Sequence, residues 1–265
     1  MPIFESVPNI SEGRDKKKIE ILLDVIRPLK NLKILDYSSD PDHNRSVFTY
    51  IGTHAAILSA GLALVQKAAE ILDLRAHQGV HPRLGVVDVL PVIPIWQAEM
   101  YDAIALAHEL GANIQNFGVP VVFYEQAALE PTAKNLADVR RKSYNNAHQT
   151  AGLVCVGARN YLVAYNIDLA TADIAVAKKI AGRVREHNSG LRGVKALGLY
   201  LASRGCAQVS LNLCAPEIAS PEKVLAYVKN LAEGAGVKIR GTELIGLLPE
   251  TVAQEARQLA GALHE

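Results

Sequence analysis

The densest set of side chains able to move protons or hold anions is the run His77-Gln78-Gly79-Val80-His81-Pro82-Arg83-Leu84-Gly85. Histidine titrates near neutrality, so it can take a proton and return it at working pH. Pro82 fixes its own φ and drives His81 toward an extended conformation. His81 is therefore a candidate general acid–base on a stiff loop. Gly79 and Gly85 permit backbone geometry closed to other residues. An ordinary surface loop with incidental histidines has the same composition, and the pattern alone leaves both readings open. A zinc site is not expected. His77 and His81 are four apart, but Gly79 and Pro82 argue against a helix presenting both on one face, and no third ligand is evident.

Other polar clusters surround this one in the chain. Asp40-Pro41-Asp42-His43-Asn44-Arg45 is either a hairpin turn or a functional turn offering Asn44 for hydrogen bonding and Arg45 for a carboxylate. Pro8-Asn9-Ile10-Ser11-Glu12-Gly13 leads from a strand into a helix. There Asn9, Ser11 and Glu12 could border an anion held by backbone N–H groups, or Ser11 or Glu12 could simply cap the helix. Gly152 to Arg159 matches neither a dinucleotide fingerprint nor a phosphate loop, but Arg159 could bind a carboxylate. Gln208, Ser210 and Asn212 alternate with apolar residues, so they share one face of a strand, as polar-ligand contacts or as a solvated surface. No G-x-S-x-G elbow occurs.

The elements that must position these groups alternate between helix and strand. The first half reads as strand 3–7, helix 15–29, strand 32–37, strand 46–51, a helix capped by Thr53 and running to 74, strand 86–95, helix 97–117 and strand 119–124. Pro91 and Pro94 make strand 86–95 an expected edge, bulged or broken strand. The second half reads as strand 160–165, a helix capped by Thr171, strands 194–202 and 207–213, a helix opened by Ser220-Pro221, strand 237–244 and helix 249–263. The order β-α-β-β-α-β predicts the ferredoxin-like pattern. The expected fold class is α/β: two ferredoxin-like subdomains, 1–150 and 151–265, each a mostly antiparallel or mixed sheet covered by helices, with a groove between them.

Bulk composition narrows the function. The chain has 265 residues, 49% of them hydrophobic and 21% charged, enough for a substantial aliphatic core. With 28 basic against 27 acidic residues, nothing attracts a polyanion over long range, so no nucleic-acid partner is expected. No uncharged run suits a membrane span, no signal peptide opens the chain, and the cysteines (155, 206 and 214) form no C-x-x-C pair. A cytoplasmic enzyme with buried free thiols is the expectation.

Several segments together resemble the formiminotransferase family. They are Val7-Pro8-Asn9-Ile10-Ser11-Glu12-Gly13, Asp42-His43-Asn44-Arg45-Ser46-Val47, Gly79 to Val89 around His81-Pro82-Arg83, Gly157-Ala158-Arg159, Ala207 to Leu213 and Gly241 to Pro249, in the family's order. The resemblance implies transfer of a formimino group from N-formimino-L-glutamate to tetrahydrofolate in histidine degradation. Tetrahydrofolate would be a co-substrate, with no metal, and His81 the catalytic residue. It also implies a homodimer whose partners are small molecules. A formyl-type donor such as 5-formyltetrahydrofolate, or a non-catalytic folate-binding role, would fit the same resemblance. The companion cyclodeaminase domain is expected to be absent. The chain has Ser38 where the family tends to be acidic, and Arg140 to Gln149 occupies a place where the family is longer. The folate pocket is therefore expected to differ.

Overall fold

A computed structural model describes residues 1–263. The chain divides into two compact units, one formed by residues 1–160 with the segment from Glu250 onward, the other by residues 161–249. The first contains β1 (Ile3–Ser6), β2 (Asn9–Ile10), α1 (Lys16–Asp24), β3 (Leu32–Asp40), β4 (Arg45–Gly52), α2 (His54–Ile71), β5 (Val87–Trp96), α3 (Met100–Asn116), β6 (Val121–Glu125), α4 (Leu136–Val139) and β7 (Val154–Ala158). The second contains β8 (Val163–Leu169), α5 (Ile174–Val184), β9 (Val194–Leu201), β10 (Cys206–Leu213), α6 (Pro221–Glu233) and β11 (Ile239–Ile245), after which α7 (Pro249–Ala262) returns to the first. The division expected at about residue 150 thus falls ten residues later, and the last helix changes sides.

β7 explains the shift. Its Val-Cys-Val-Gly-Ala run was expected to precede a strand, but it is one, inserted in parallel between β5 and β6. The first sheet therefore carries β3, β4, β5, β7 and β6 across, with β1 and β2 in line between β4 and β5. Pro8 divides those two short strands, since it has no N–H to offer a ladder. β5 is not an edge strand but is bulged, one of the forms expected from Pro91 and Pro94. The ladder shifts register beside it at Ile3/Phe4 and again at Asn9/Ile10, so an irregular seam accommodates the prolines.

One face of this sheet packs on α1, α2 and α3. Phe4, Ile10, Phe48, Tyr50, Val87, Leu90 and Val92 meet Leu22, Leu23, Ile57, Leu64, Leu106 and Leu110 there. Burial of each such aliphatic side chain contributes about 1.5–3 kcal/mol. Gly61 of α2 lets α3 approach closely, for a Cβ would sit 2.9 Å from a Leu110 methyl. On the opposite face a smaller cluster joins Val89, Tyr124, Leu153 and Cys155 to Val139 of α4. α7 is tied to this unit by Lys33–Glu255 and by the Arg257 guanidinium, 5.1 Å from the centre of the Trp96 ring.

The second unit is a four-stranded antiparallel sheet in the order β11-β8-β10-β9, backed by α5 and α6, which is the ferredoxin-like arrangement. Ser220 caps α6 with Pro221 in the first turn, as its sequence predicts. Asp173, rather than Thr171, caps α5; Thr171, two residues earlier, accepts the Asp173 N–H. No helix among the described residues is long and apolar enough to cross a membrane.

Candidate active site

The β3–β4 turn, the loop after β2 and the loop before β5 meet at one end of the first sheet, and backbone groups bring them together. Ser11 N–H donates to the Val86 carbonyl at 2.8 Å, and its hydroxyl to the Gly85 carbonyl at 2.7 Å. Val80 N–H donates to the Asp42 carbonyl at 3.1 Å. Gly13 and Gly79 lie where a Cβ would be 2.3 Å from the Asp40 carbonyl oxygen and 2.2 Å from that of His43. Gly79 and Gly85 do not have the left-handed backbone that the sequence suggests. They are needed because neighbouring chains pass too close for a side chain.

His81 stands on this loop half-buried. Its Nδ1 lies 3.0 Å from the Pro82 carbonyl, a bond that only Nδ1–H can donate. The tautomer is thereby fixed, and Nε2 keeps its lone pair. The His43 ring is centred 5.9 Å away, tilted by 33°. Burial pushes the His81 pKa well below its ordinary value, and the cations Arg45 and Arg140 push it further, against the Pro82 carbonyl. Its neutral form is therefore favoured near neutrality, as a general base requires.

Several residues proposed for ligand contact hydrogen-bond within the scaffold. Glu12 accepts from the N–H groups of Arg14 and Asp15, and Asp15 in turn caps α1. Arg83 donates from Nε to the His81 carbonyl at 3.1 Å, and another guanidinium nitrogen donates to the same oxygen. Ser11 and Asn44 spend their side chains on neighbouring loops. Asn9 is half-buried and donates to the Val7 carbonyl at 3.2 Å.

Arg45 is different. Its guanidinium has no hydrogen bond or ion pair among the described residues. Its pKa is pulled down to about 10, first by burial and then by Arg140 and Arg83, with Asp88 and Asp40 opposing. Such a cation is suited to a charged acceptor supplied from outside. Two further groups of the site are Arg140 and Asp88. They form an ion pair in which Asp88 is 3% exposed, and Asp88 also accepts the Leu84 N–H at 2.6 Å. Arg140 stood in the sequence only as part of a polar connection. Its basic character beside the histidine loop could not be read without the fold, because 52 residues separate the pair.

Farther along the first sheet, Arg159 donates to the Asn160 carbonyl at 2.9 Å and acts electrostatically on Glu5. Glu5 is 1% exposed, neither carboxyl oxygen has a hydrogen-bond partner among the described residues, and burial raises its pKa to about 7. In the second unit, Gln208, Ser210 and Asn212 do share one face of β10, with Val209, Leu211 and Leu213 in the core behind it. Gln208 is fully buried, however, and its amide donates to Asp168 at 2.8 Å, while Arg204 holds the other Asp168 oxygen at 3.2 Å. Ser210 is half-buried and Asn212 exposed.

In the first unit a half-buried histidine whose neutral form is favoured thus stands on a loop among arginines. The comparisons with known proteins make this specific. Residues 3–159 match the N-terminal subdomain of the formiminotransferase domain, and residues 164–259 match the formiminotransferase domain itself. A glutamate formimidoyltransferase of Thermoplasma acidophilum is 34% identical over 94% of this chain and 89% of its own length. One from Streptococcus pyogenes is 36% identical over 93% of this chain and 89% of its own. The formimidoyltransferase-cyclodeaminase of Gallus gallus is 31% identical over 97% of this chain, which spans 52% of that longer protein. The chain belongs to the formiminotransferase family.

Proposed function

We propose that the protein is a glutamate formimidoyltransferase, moving the formimino group of N-formimino-L-glutamate to tetrahydrofolate with His81 as general acid–base. The observation that carries the catalytic assignment is the Nδ1–H bond to Pro82, which leaves the His81 Nε2 lone pair free to take a proton. The folate amine attacks the amidine carbon, forming a C–N bond and a tetrahedral intermediate. His81 Nε2 takes the proton that the amine gives up. It then returns the proton to the glutamate nitrogen as the original C–N bond breaks, releasing glutamate and 5-formiminotetrahydrofolate. Arg45 anchors a substrate carboxylate by charge-assisted hydrogen bonds. Asn9 is a further candidate contact to the polar groups of folate. Purified protein incubated with N-formiminoglutamate and tetrahydrofolate should form 5-formiminotetrahydrofolate with stoichiometric release of glutamate. Absence of that product removes the assignment.

A further inference from the structure

The groups that hold the histidine loop converge on one residue, Asn44. It is 7% exposed and lies in the left-handed region, with φ of +46°. Asparagine tolerates that conformation better than most residues with a side chain. From there its Oδ1 accepts the Gly13 N–H at 2.9 Å, and its Nδ2 donates to the Gln78 carbonyl at 2.9 Å. Its own carbonyl lies 2.7 Å from His77 Nε2. One residue thus ties the loop after β2 to the loop before β5 from both sides of its amide. It also touches the His81 loop at two successive residues, His77 and Gln78. Arg45, the next residue, enters β4 opposite Asp40.

We propose that Asn44 is a positioning residue for His81, acting through Gln78 and His77 to set the imidazole against Arg45; this deepens the assignment of His81 made above. The alternative, a direct substrate contact, would need amide groups that are already engaged. Asn44→Asp keeps the shape, the left-handed preference and the acceptor for Gly13, but turns the donor toward Gln78 into a second oxygen facing a carbonyl. Asn44→Gly keeps the backbone conformation, adds no charge and removes both side-chain bonds. With the loop released, the His81 ring becomes hydrated and moves away from Arg45, Arg140, Arg83 and His43, the charged and titratable groups around it.

Both variants should lower kcat by about tenfold or more, the effect of about 1.4 kcal/mol in the barrier, while KM for the donor changes by less than about threefold because Arg45 stays in its ladder. In the uncharged Asn44→Gly variant, the His81 ring titration followed by NMR should rise toward the ordinary histidine value. Wild-type kcat and an unmoved His81 titration in both variants would overturn the proposal, as would loss of activity that merely tracks the unfolded fraction. The titration needs no turnover. If the wild-type protein makes no 5-formiminotetrahydrofolate, the proposed reaction fails while the NMR experiment still decides the positioning role.

Discussion

The two units each gather polar side chains, but the bookkeeping of hydrogen bonds differs. On the sheet of the second unit, Gln208 and Arg204 divide the two oxygens of Asp168, and Asn166 donates to Glu243 at 3.4 Å. That network largely satisfies itself, as buried polar groups in a stable sheet must. At the histidine loop the scaffold bonds are just as complete for Ser11, Asn44 and Asp88, yet among the described residues the His81 Nε2 and the Arg45 guanidinium have no hydrogen-bond partner, and neither do His77 Nδ1 and Arg140 Nε. The difference teaches that candidate function is marked less by polarity than by what polarity remains after the scaffold is served.

The strongest way to break the comparison is to remove the leftover base. His81→Ala should lower kcat by about 10²-fold or more, the usual contribution of a positioned acid–base group. Unchanged turnover would place the chemistry elsewhere. The wild-type pH profile sharpens the point. The active form is the neutral ring, and burial with Arg45 and Arg140 pushes its pKa well below the ordinary value. Activity should therefore hold as pH falls through 6.5, near the ordinary histidine pKa, and drop only in more acid solution. A half-maximum at or above the ordinary histidine pKa would contradict this environment.

Removing the leftover cation comes next. Arg45→Gln deletes a charge-assisted anchor worth about 1.5–3 kcal/mol, so kcat/KM should fall by about 10- to 100-fold, mostly through KM. The same change takes away a cation that holds the His81 pKa down, so the acid limb should move up in pH. Loss of kcat with an unmoved KM would instead mean that Arg45 acts in the transition state alone.

What could be read before folding follows the range of the forces involved. Thr53 and Ser220 were legible as caps because a cap is decided within one turn. His81 was legible because Pro82 constrains it locally. β7 was not, since Val154–Ala158 is short, carries Gly157 within it, and becomes a strand only through its partners β5 and β6. The bulges of β5 were legible from its prolines, but its interior place was not, because that is set by pairing with β1, β2 and β7, which are distant in the chain. Arg140 and Glu5 gave no periodic signal that sets them apart. Their meaning comes from burial beside groups far away in the chain.

Glu5 offers a stability experiment in the first unit. Its folded pKa of about 7 lies above the ordinary carboxyl value of 4.5. Below that lower value both folded and unfolded chains are protonated and nothing is lost. Between the two values the unfolded chain sheds the proton while the folded one keeps it, so stability falls as pH rises, and the penalty is complete above about 7. Its size is about 3 kcal/mol. Glu5→Gln should be more stable than wild type in denaturant titrations at pH 8 and lose that advantage near pH 4. An advantage independent of pH would mean that Glu5 has an ordinary pKa in the folded protein.

The smallest effect belongs to the satisfied network. Gln208→Ala removes the donor to one Asp168 oxygen but leaves Arg204 on the other. The loss should be about 1–3 kcal/mol, the cost of an unpaired buried acceptor, read as a lower denaturation midpoint. Because the Gln208 amide is committed inside its own sheet, kcat should stay within about twofold of wild type, an effect under 0.5 kcal/mol. A large fall in kcat at unchanged stability would show that this face of the second unit also holds substrate, and the contrast between spent and spare polar groups would no longer separate the two units.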